Sequence, residues 1–384
     1  MIGVASRRGI PPKHIIGRPR PLASRAQPRR ASSTCENRRT FRPCRTVTDA
    51  TRSLAAPARD LATRLEGTLI PAVPVPRRAN GQLHGDAQDA YASWMARQPA
   101  GGVAVWAHTG RGLHLDGQMR DRILASWRRA MPRPAVIIAG CGVPADGAAL
   151  PTDPRTRTDE VIRRTVAMAQ AARDGGADAV LVHPPAQLAA LPDASGRVLA
   201  LHDALAEAGL PVIAFLLYRR ASGLEYDDAL LDEILALPHA IGVKLATLDS
   251  VIRFQTVADR LVVLHPDRLL ITGEDRFLGY SLMIGARCAL IGMGAARTAL
   301  QAALVRAAVE NDPVALVRLT RACDRLAAAT FLEPMEGYIR RMLWVLAEDG
   351  VIPDEACHDP TGPKLDRDER ARVARMLHSL DGVS

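Results

Sequence analysis

The feature that most constrains this chain is an alternation, sustained from residue 67 onward, of short wholly apolar runs with amphipathic stretches. Eight such runs occur, at 68–73, 102–106, 135–139, 179–183, 212–217, 240–244, 269–272 and 288–291. Runs that are apolar throughout, rather than at every second position, suit strands covered on both faces, and repeated βα units build parallel sheets of such strands. Eight units of this spacing approach the length of a (β/α)8 barrel, about 250 residues. The expected fold is therefore α/β, a (β/α)8 TIM barrel with a C-terminal helical extension. An open doubly wound sheet is the competing topology, because a count of strands does not reveal closure.

The stretch between the third and fourth runs illustrates the helical half of the unit. Val161, Ile162, Thr165, Val166, Ala169 and Ala172 share one face at helical spacing. Thr158 is the expected N-cap, with Asp159 and Glu160 in the first turn, and Gly175-Gly176 ends the helix. Beyond the eighth run, helical patterns at 298–310, 313–329, 334–348 and 367–380 predict a C-terminal layer. The resulting organisation is an extension over 1–60, a barrel over 61–296 and a helical region over 297–384. No internal repeat other than the βα period is visible.

Charge is distributed unevenly. Residues 1–60 hold fourteen Lys/Arg against three Asp/Glu, an excess larger than the +9 of the whole chain, so the remainder is slightly acidic. A basic core that would bind nucleic acid is thereby not supported, and the low aromatic content removes the stacking surface of single-strand binders. The same head is rich in Pro, Ser and Thr without a sustained period, and is expected to be disordered; a targeting segment is the alternative. No run reaches the roughly 18 consecutive apolar residues of a membrane span. Cys35, Cys44, Cys141, Cys288, Cys323 and Cys357 lie far apart, which predicts reduced thiols and a cytoplasmic location. No His/Asp/Glu cluster has metal-ligand spacing, and no cofactor is expected.

In a parallel barrel the active site gathers at the carboxyl ends of the strands. Four ends carry polar residues: His108-Thr109-Gly110, His183-Pro184, Tyr218 and Lys244. Lys244 follows Ala240-Ile241-Gly242-Val243, so its amine would sit among apolar walls, where desolvation frees a neutral nucleophile; a lysine that merely snorkels to water is the plain alternative. Tyr218 ends the strand before it, close enough to shuttle protons at the same centre. Thr109 and the N–H groups around Gly110 could hold a carboxylate, and His108 could act as an acid or base, although both features also occur as ordinary turn structure. Gly273-Glu274-Asp275 ends the seventh strand, where its carboxylates can orient the mouth or cap the next helix.

These positions, taken in order, resemble the dihydrodipicolinate synthase and N-acetylneuraminate lyase family of class I aldolases, over roughly residue 67 to the C-terminus. Gly67-Thr68-Leu69-Ile70-Pro71-Ala72 is similar to the family's opening strand, and Gly140-Cys141-Gly142 to its third-strand glycine turn. Gly175-Gly176-Ala177-Asp178-Ala179-Val180 is similar to the entry into its fourth strand. Ile241-Gly242-Val243-Lys244 matches the G-[IV]-K segment whose lysine forms a Schiff base. Tyr218 falls at the catalytic tyrosine, and Gly273-Glu274-Asp275 resembles a G-D-D turn. Against the G-T-T-G-E loop that binds a keto-acid carboxylate, this chain reads Ala107-His108-Thr109-Gly110-Arg111, with His108 in place of the first threonine. Pro184-Pro185-Ala186 stands where the family has P-Y-Y and so lacks the tyrosine given across a subunit interface. Tyr218-Arg219-Arg220-Ala221 replaces Y-N-x-P.

The resemblance implies a Schiff-base lyase acting on pyruvate or a related 2-oxo acid, divergent from a true dihydrodipicolinate synthase. Lys244, Tyr218 and His108 are then the catalytic candidates, with Thr109, Gly110, Arg219, Arg220 and Gly273 holding substrate. A homo-oligomer, dimer or tetramer, is implied as well. Two other readings stand beside it: a Schiff-base dehydratase or hydratase-aldolase on a sugar acid or aromatic 2-oxo acid, and a non-catalytic barrel with a binding or regulatory role.

Overall fold

The computed structural model describes residues 53–144, 148–248 and 250–380; the stretch 1–52, where most of the expected extension falls, lies outside the described residues. Each apolar run forms a strand: β1 (Leu69–Pro71), β2 (Gly102–Val105), β3 (Val136–Cys141), β4 (Ala179–Val182), β5 (Val212–Leu217), β6 (Ala240–Ala246), β7 (Leu269–Thr272) and β8 (Cys288–Ile291). All pair in parallel, in the order β1-β8-β7-β6-β5-β4-β3-β2. The two ends of that order meet just past β1, where Ala72 bridges Ala104 and the Val73 N–H donates to the Ala104 carbonyl at 3.1 Å. The sheet is thus a closed barrel, and the open doubly wound alternative is excluded.

Two apolar layers follow from this geometry. Ile70, Ile138, Leu181, Ile213, Phe215, Ile271 and Leu290 fill the barrel interior, while Val103, Val105, Ile137, Val180, Val243 and Leu245 face the surrounding helices. Helix Ala56–Leu65 plugs the amino-terminal end of the barrel: Leu54, Ala58, Leu61 and Leu65 join the interior cluster, and the Ala55 N–H donates to the Pro238 carbonyl just before β6. The expected boundary at residue 60 therefore moves towards the N-terminus, because residues 54–60 supply apolar side chains that the barrel floor buries.

Helix Pro154–Asp174 starts earlier than expected. Asp153 is the N-cap, accepting from the Thr156 N–H at 2.9 Å, with Pro154 at the first helical position, where its missing N–H is no loss. Thr158 lies within the helix and donates to the Pro154 carbonyl at 2.7 Å, so it does not cap. Gly175 closes the helix as expected, and Gly176 follows at φ +93, open to glycine without strain. After β8 come the helices Thr298–Val309, Pro313–Thr330, Tyr338–Glu348 and Arg367–Leu380, and a 3-10 turn at Met335–Gly337 precedes the third.

The strand pair that positions the site contains an irregularity. Val212 pairs with Ala240 but Ile213 with Gly242, so β6 has one extra residue at Ile241. Strict alternation from Ile241, which joins the interior cluster, would turn Lys244 outward. The extra residue resets the pleat, so that Val243 and Leu245 pack on the helices and Lys244 faces into the barrel beside Phe215, its register partner on β5.

Candidate active site

Lys244 lies two residues before the end of β6, which runs on to Ala246, and it is buried. Its Nζ stands 4.4 Å from the centroid of the Phe215 ring, a contact that attracts a cation but offers it no hydrogen bond. Burial pushes the amine's pKa below its usual value, with the carboxylates of Asp275 and Glu274 opposing the shift. Asp275 is displaced in the opposite sense, upward, chiefly by burial. The pair is therefore poised between neutral and ionised forms, and the direction that matters for chemistry is the lowering at Lys244.

The turn Gly273-Glu274-Asp275 shapes the floor beside that amine. A methyl at Gly273 would stand 2.7 Å from Lys244 Cε and 2.8 Å from the Leu245 carbonyl, so only glycine fits. Gly273 is thus a close-packing position next to Lys244. Neither carboxylate caps the helix that follows, Leu278–Met283, whose N-cap is Phe277. Glu274 instead accepts from the Thr247 hydroxyl at 2.8 Å and the Leu248 N–H at 3.0 Å, pinning the loop after β6, and Asp275 accepts from the Met293 N–H at 2.7 Å, pinning the chain after β8.

Tyr218 follows β5, and its ring lines, together with Lys244, Thr109, His108 and Asp275, an inner void of about 40 Å³. The void opens towards a mouth of about 950 Å³ that His108 and Tyr218 also border. Thr109 is buried, and its hydroxyl lies 2.9 Å from the Tyr338 hydroxyl. The N–H of Gly110 is already bonded to the Ala107 carbonyl at 3.0 Å in the 3-10 turn His108–Gly110, so it is not one of the free donors expected there. Arg220 borders the outer mouth, exposed and paired with Glu333 at 3.2 Å, whereas Arg219 is exposed and borders neither the void nor the mouth. His183 is buried with Nε2 3.1 Å from the Trp106 carbonyl; burial takes its pKa down to about 4, leaving a neutral imidazole in a structural contact.

One residue that the sequence did not single out ties these groups together. Glu336, in the turn Met335–Gly337, accepts from the Tyr218 hydroxyl at 3.0 Å and from Arg111 at 2.6 Å, and lies 2.9 Å from His108 Nε2. Burial alone would raise its pKa, but the hydrogen bond and charge of His108, with the charge of Arg111, outweigh that and hold the carboxyl at about 2. The Tyr218 phenol is raised, first by burial and then by the Glu336 charge, so it keeps its proton. Arg111 is fixed further by Asp359 at 2.9 Å. Tyr338, stacked on Phe331 with centroids 4.6 Å apart, is the second missed residue. The available signal was Pro334 and Gly337 interrupting a helical pattern, which marks a loop but not its docking place.

No protein-family model matches the chain. A probable mitochondrial 4-hydroxy-2-oxoglutarate aldolase of Emericella nidulans is 28% identical over 189 residues, 46% of this chain; the chain spans about half the length of that curated relative, 55%. Among solved structures, a dihydrodipicolinate synthase of Agrobacterium tumefaciens superimposes with a TM-score of 0.67 at 22% identity, covering 84% of this chain and 100% of that one. An E. coli prophage protein of the dihydrodipicolinic acid synthase family, solved with pyruvate, gives 0.67 at 19%, over 82% and 98%. A sialic acid aldolase of Ruminococcus gnavus gives 0.67 at 15%, over 83% and 98%. The chain therefore has the fold of the dihydrodipicolinate synthase and N-acetylneuraminate lyase structures.

Proposed function

We propose that this chain is a divergent member of that family, a class I lyase in which Lys244 forms a Schiff base with pyruvate or a related 2-oxo acid. The observation that carries the reading is a buried lysine turned into the carboxyl end of a barrel, its amine pushed towards neutrality and a phenol bordering the same void. The neutral amine adds to the 2-oxo carbon, and loss of water from the resulting carbinolamine gives an iminium. Tyr218 moves the proton that the departing hydroxyl requires, and Asp275 sets a negative charge near the cation that forms. Thr109 holds the substrate carboxylate, and His108, at the mouth, exchanges protons with the second reactant. The iminium then stabilises the enamine through which a carbon–carbon bond is made or broken.

The name of the curated relative and the pyruvate in one neighbour support a 2-oxo acid as the partner of Lys244. Cytoplasmic location and homo-oligomeric assembly belong to the same proposal. Cys141, Cys288, Cys323 and Cys357 are free thiols, in keeping with a reducing compartment, and no helix among the described residues is long and apolar enough to cross a membrane.

Incubation with pyruvate and borohydride, followed by peptide mass mapping, tests the reading. A reduced adduct at Lys244 is expected. Its absence with pyruvate and with a panel of other 2-oxo acids would leave the non-catalytic barrel as the better account. Aldehyde-dependent consumption of pyruvate then marks an aldolase, and water loss from a sugar acid without an aldehyde marks a dehydratase.

A further inference from the structure

The Schiff-base reading explains Lys244 but not why a carboxylate from the C-terminal layer is set into the mouth above it. We propose that Glu336 is a positioning residue that joins Tyr218 and His108 into one proton-transfer unit over Lys244. This inference rests on the Schiff-base reading.

An ionised carboxylate only accepts hydrogen bonds. Oε1 of Glu336 lies 3.0 Å from the Tyr218 hydroxyl and 2.9 Å from His108 Nε2, while Oε2 takes Arg111 at 2.6 Å. Both Tyr218 and His108 must therefore turn a hydrogen towards it. The phenol's hydrogen is thereby directed at Glu336, which leaves its lone pairs facing the void shared with Lys244, and the imidazole carries its proton on Nε2. One anion fixes the orientation of both groups, and it borders the outer mouth but not the inner void around Lys244, so it acts on that void through them.

The surroundings hold Glu336 in place. Arg341, fully buried, donates to the carbonyls of Thr330, Leu332 and Pro334 at 3.3, 2.7 and 3.3 Å and to Glu369 at 2.8 Å, so the chain leading to Glu336 is tied at several points. Tyr338, two residues on, is stacked on Phe331 and bonded to Thr109. Arg111 is itself clamped by Asp359. Such support is what a group needs when its value lies in the angle at which it holds its neighbours. The charged and titratable groups facing it are His108, Arg111, Tyr218 and Tyr338.

Exchange of the pyruvate methyl protons in D2O, followed by NMR, reads enamine formation without any second substrate. Glu336→Gln is expected to lower kcat for exchange about 100-fold with KM within roughly threefold and to change the shape of the pH profile, while Glu336→Asp restores at least about tenfold of the loss. In a Tyr218→Phe background Glu336→Gln should have little further effect, since the two act as a unit; this cycle is read beside thermal unfolding of each variant. Exchange at the wild-type rate in Glu336→Gln, a change in KM alone, or fully additive losses would overturn the proposal. A wild-type protein that forms no Lys244 adduct removes the Schiff-base reading and this inference together, whereas a normal adduct with an indifferent Glu336→Gln removes only this one.

Discussion

At Lys244 the direction of the pH response follows from burial. Its amine titrates below the usual 10.5, and only the neutral form attacks a ketone. Imine formation should rise with pH through that lowered pKa and level off above it. Asp275, the larger of the two opposing charges, pulls the amine back towards the ammonium form, so Asp275→Asn should move the midpoint of the rise to lower pH, by roughly one unit. Rates of borohydride trapping measured across pH decide this, and a midpoint that moves up would contradict it. Lys244→Ala should abolish the adduct altogether. Lys244, Tyr218, His108 and Thr109 were legible because each is a polar residue ending an apolar run, a place that topology makes meaningful. Glu336 and Tyr338 were not, since nothing in a helical period tells which surface a distant turn will reach. Arg219 shows the converse: next to Tyr218 in sequence, it leaves the mouth because the short helix Arg219–Ser222 carries it outward.

Among the elements, strands were more legible than their limits. A continuous apolar run announces β6, but not that its pairing with β5 continues through Leu245 and Ala246 past the lysine. Thr158 looked like a cap because it precedes two acidic residues, yet Asp153-Pro154 offers both an accepting side chain and a residue that needs no donor, and the helix starts there. The turn after β7 carries the clearest prediction at this scale. Gly273→Ala forces a methyl against the Lys244 stem and the Leu245 carbonyl, and should lower stability by about 1–3 kcal/mol, read by thermal or denaturant unfolding. Trapping at Lys244 should slow as well, because the only flexible neighbour able to give way is the lysine stem itself. Unchanged unfolding and unchanged trapping would mean that the turn relaxes more freely than its packing indicates.

For the whole molecule, the barrel has both of its ends covered by segments outside the eight βα units. Helix Ala56–Leu65 closes the floor, and the turn Met335–Gly337 with its flanking helices forms part of the mouth. The sequence foretold the barrel and the C-terminal layer, since both rest on long periodic segments. It did not foretell the plug, because its apolar residues straddle the expected boundary: Leu54 and Ala58 fall at the end of the basic, proline-rich head, and Leu61 and Leu65 just beyond it. Two truncations isolate the plug, one beginning at residue 53 and one at residue 67. Deletion through residue 66 removes Leu54, Ala58, Leu61 and Leu65 from the interior cluster, and should cost several kcal/mol, given about 2–5 kcal/mol for each large apolar side chain lost from a core. Equal melting temperatures for the two truncations would remove the plug from the account of stability.

The extra residue in β6 bears on how the site tolerates a change of length. Ala240 and Gly242 stand opposite the consecutive Val212 and Ile213, so Ile241 is a residue that the ladder does not need. A chain lacking it would bring Ala240 and Gly242 into unbroken alternation and leave Lys244 opposite Phe215, its amine still inside the barrel. The bulge is thus slack lying upstream of the reactive amine: one codon lost there would be absorbed, whereas replacing Lys244 itself removes the chemistry.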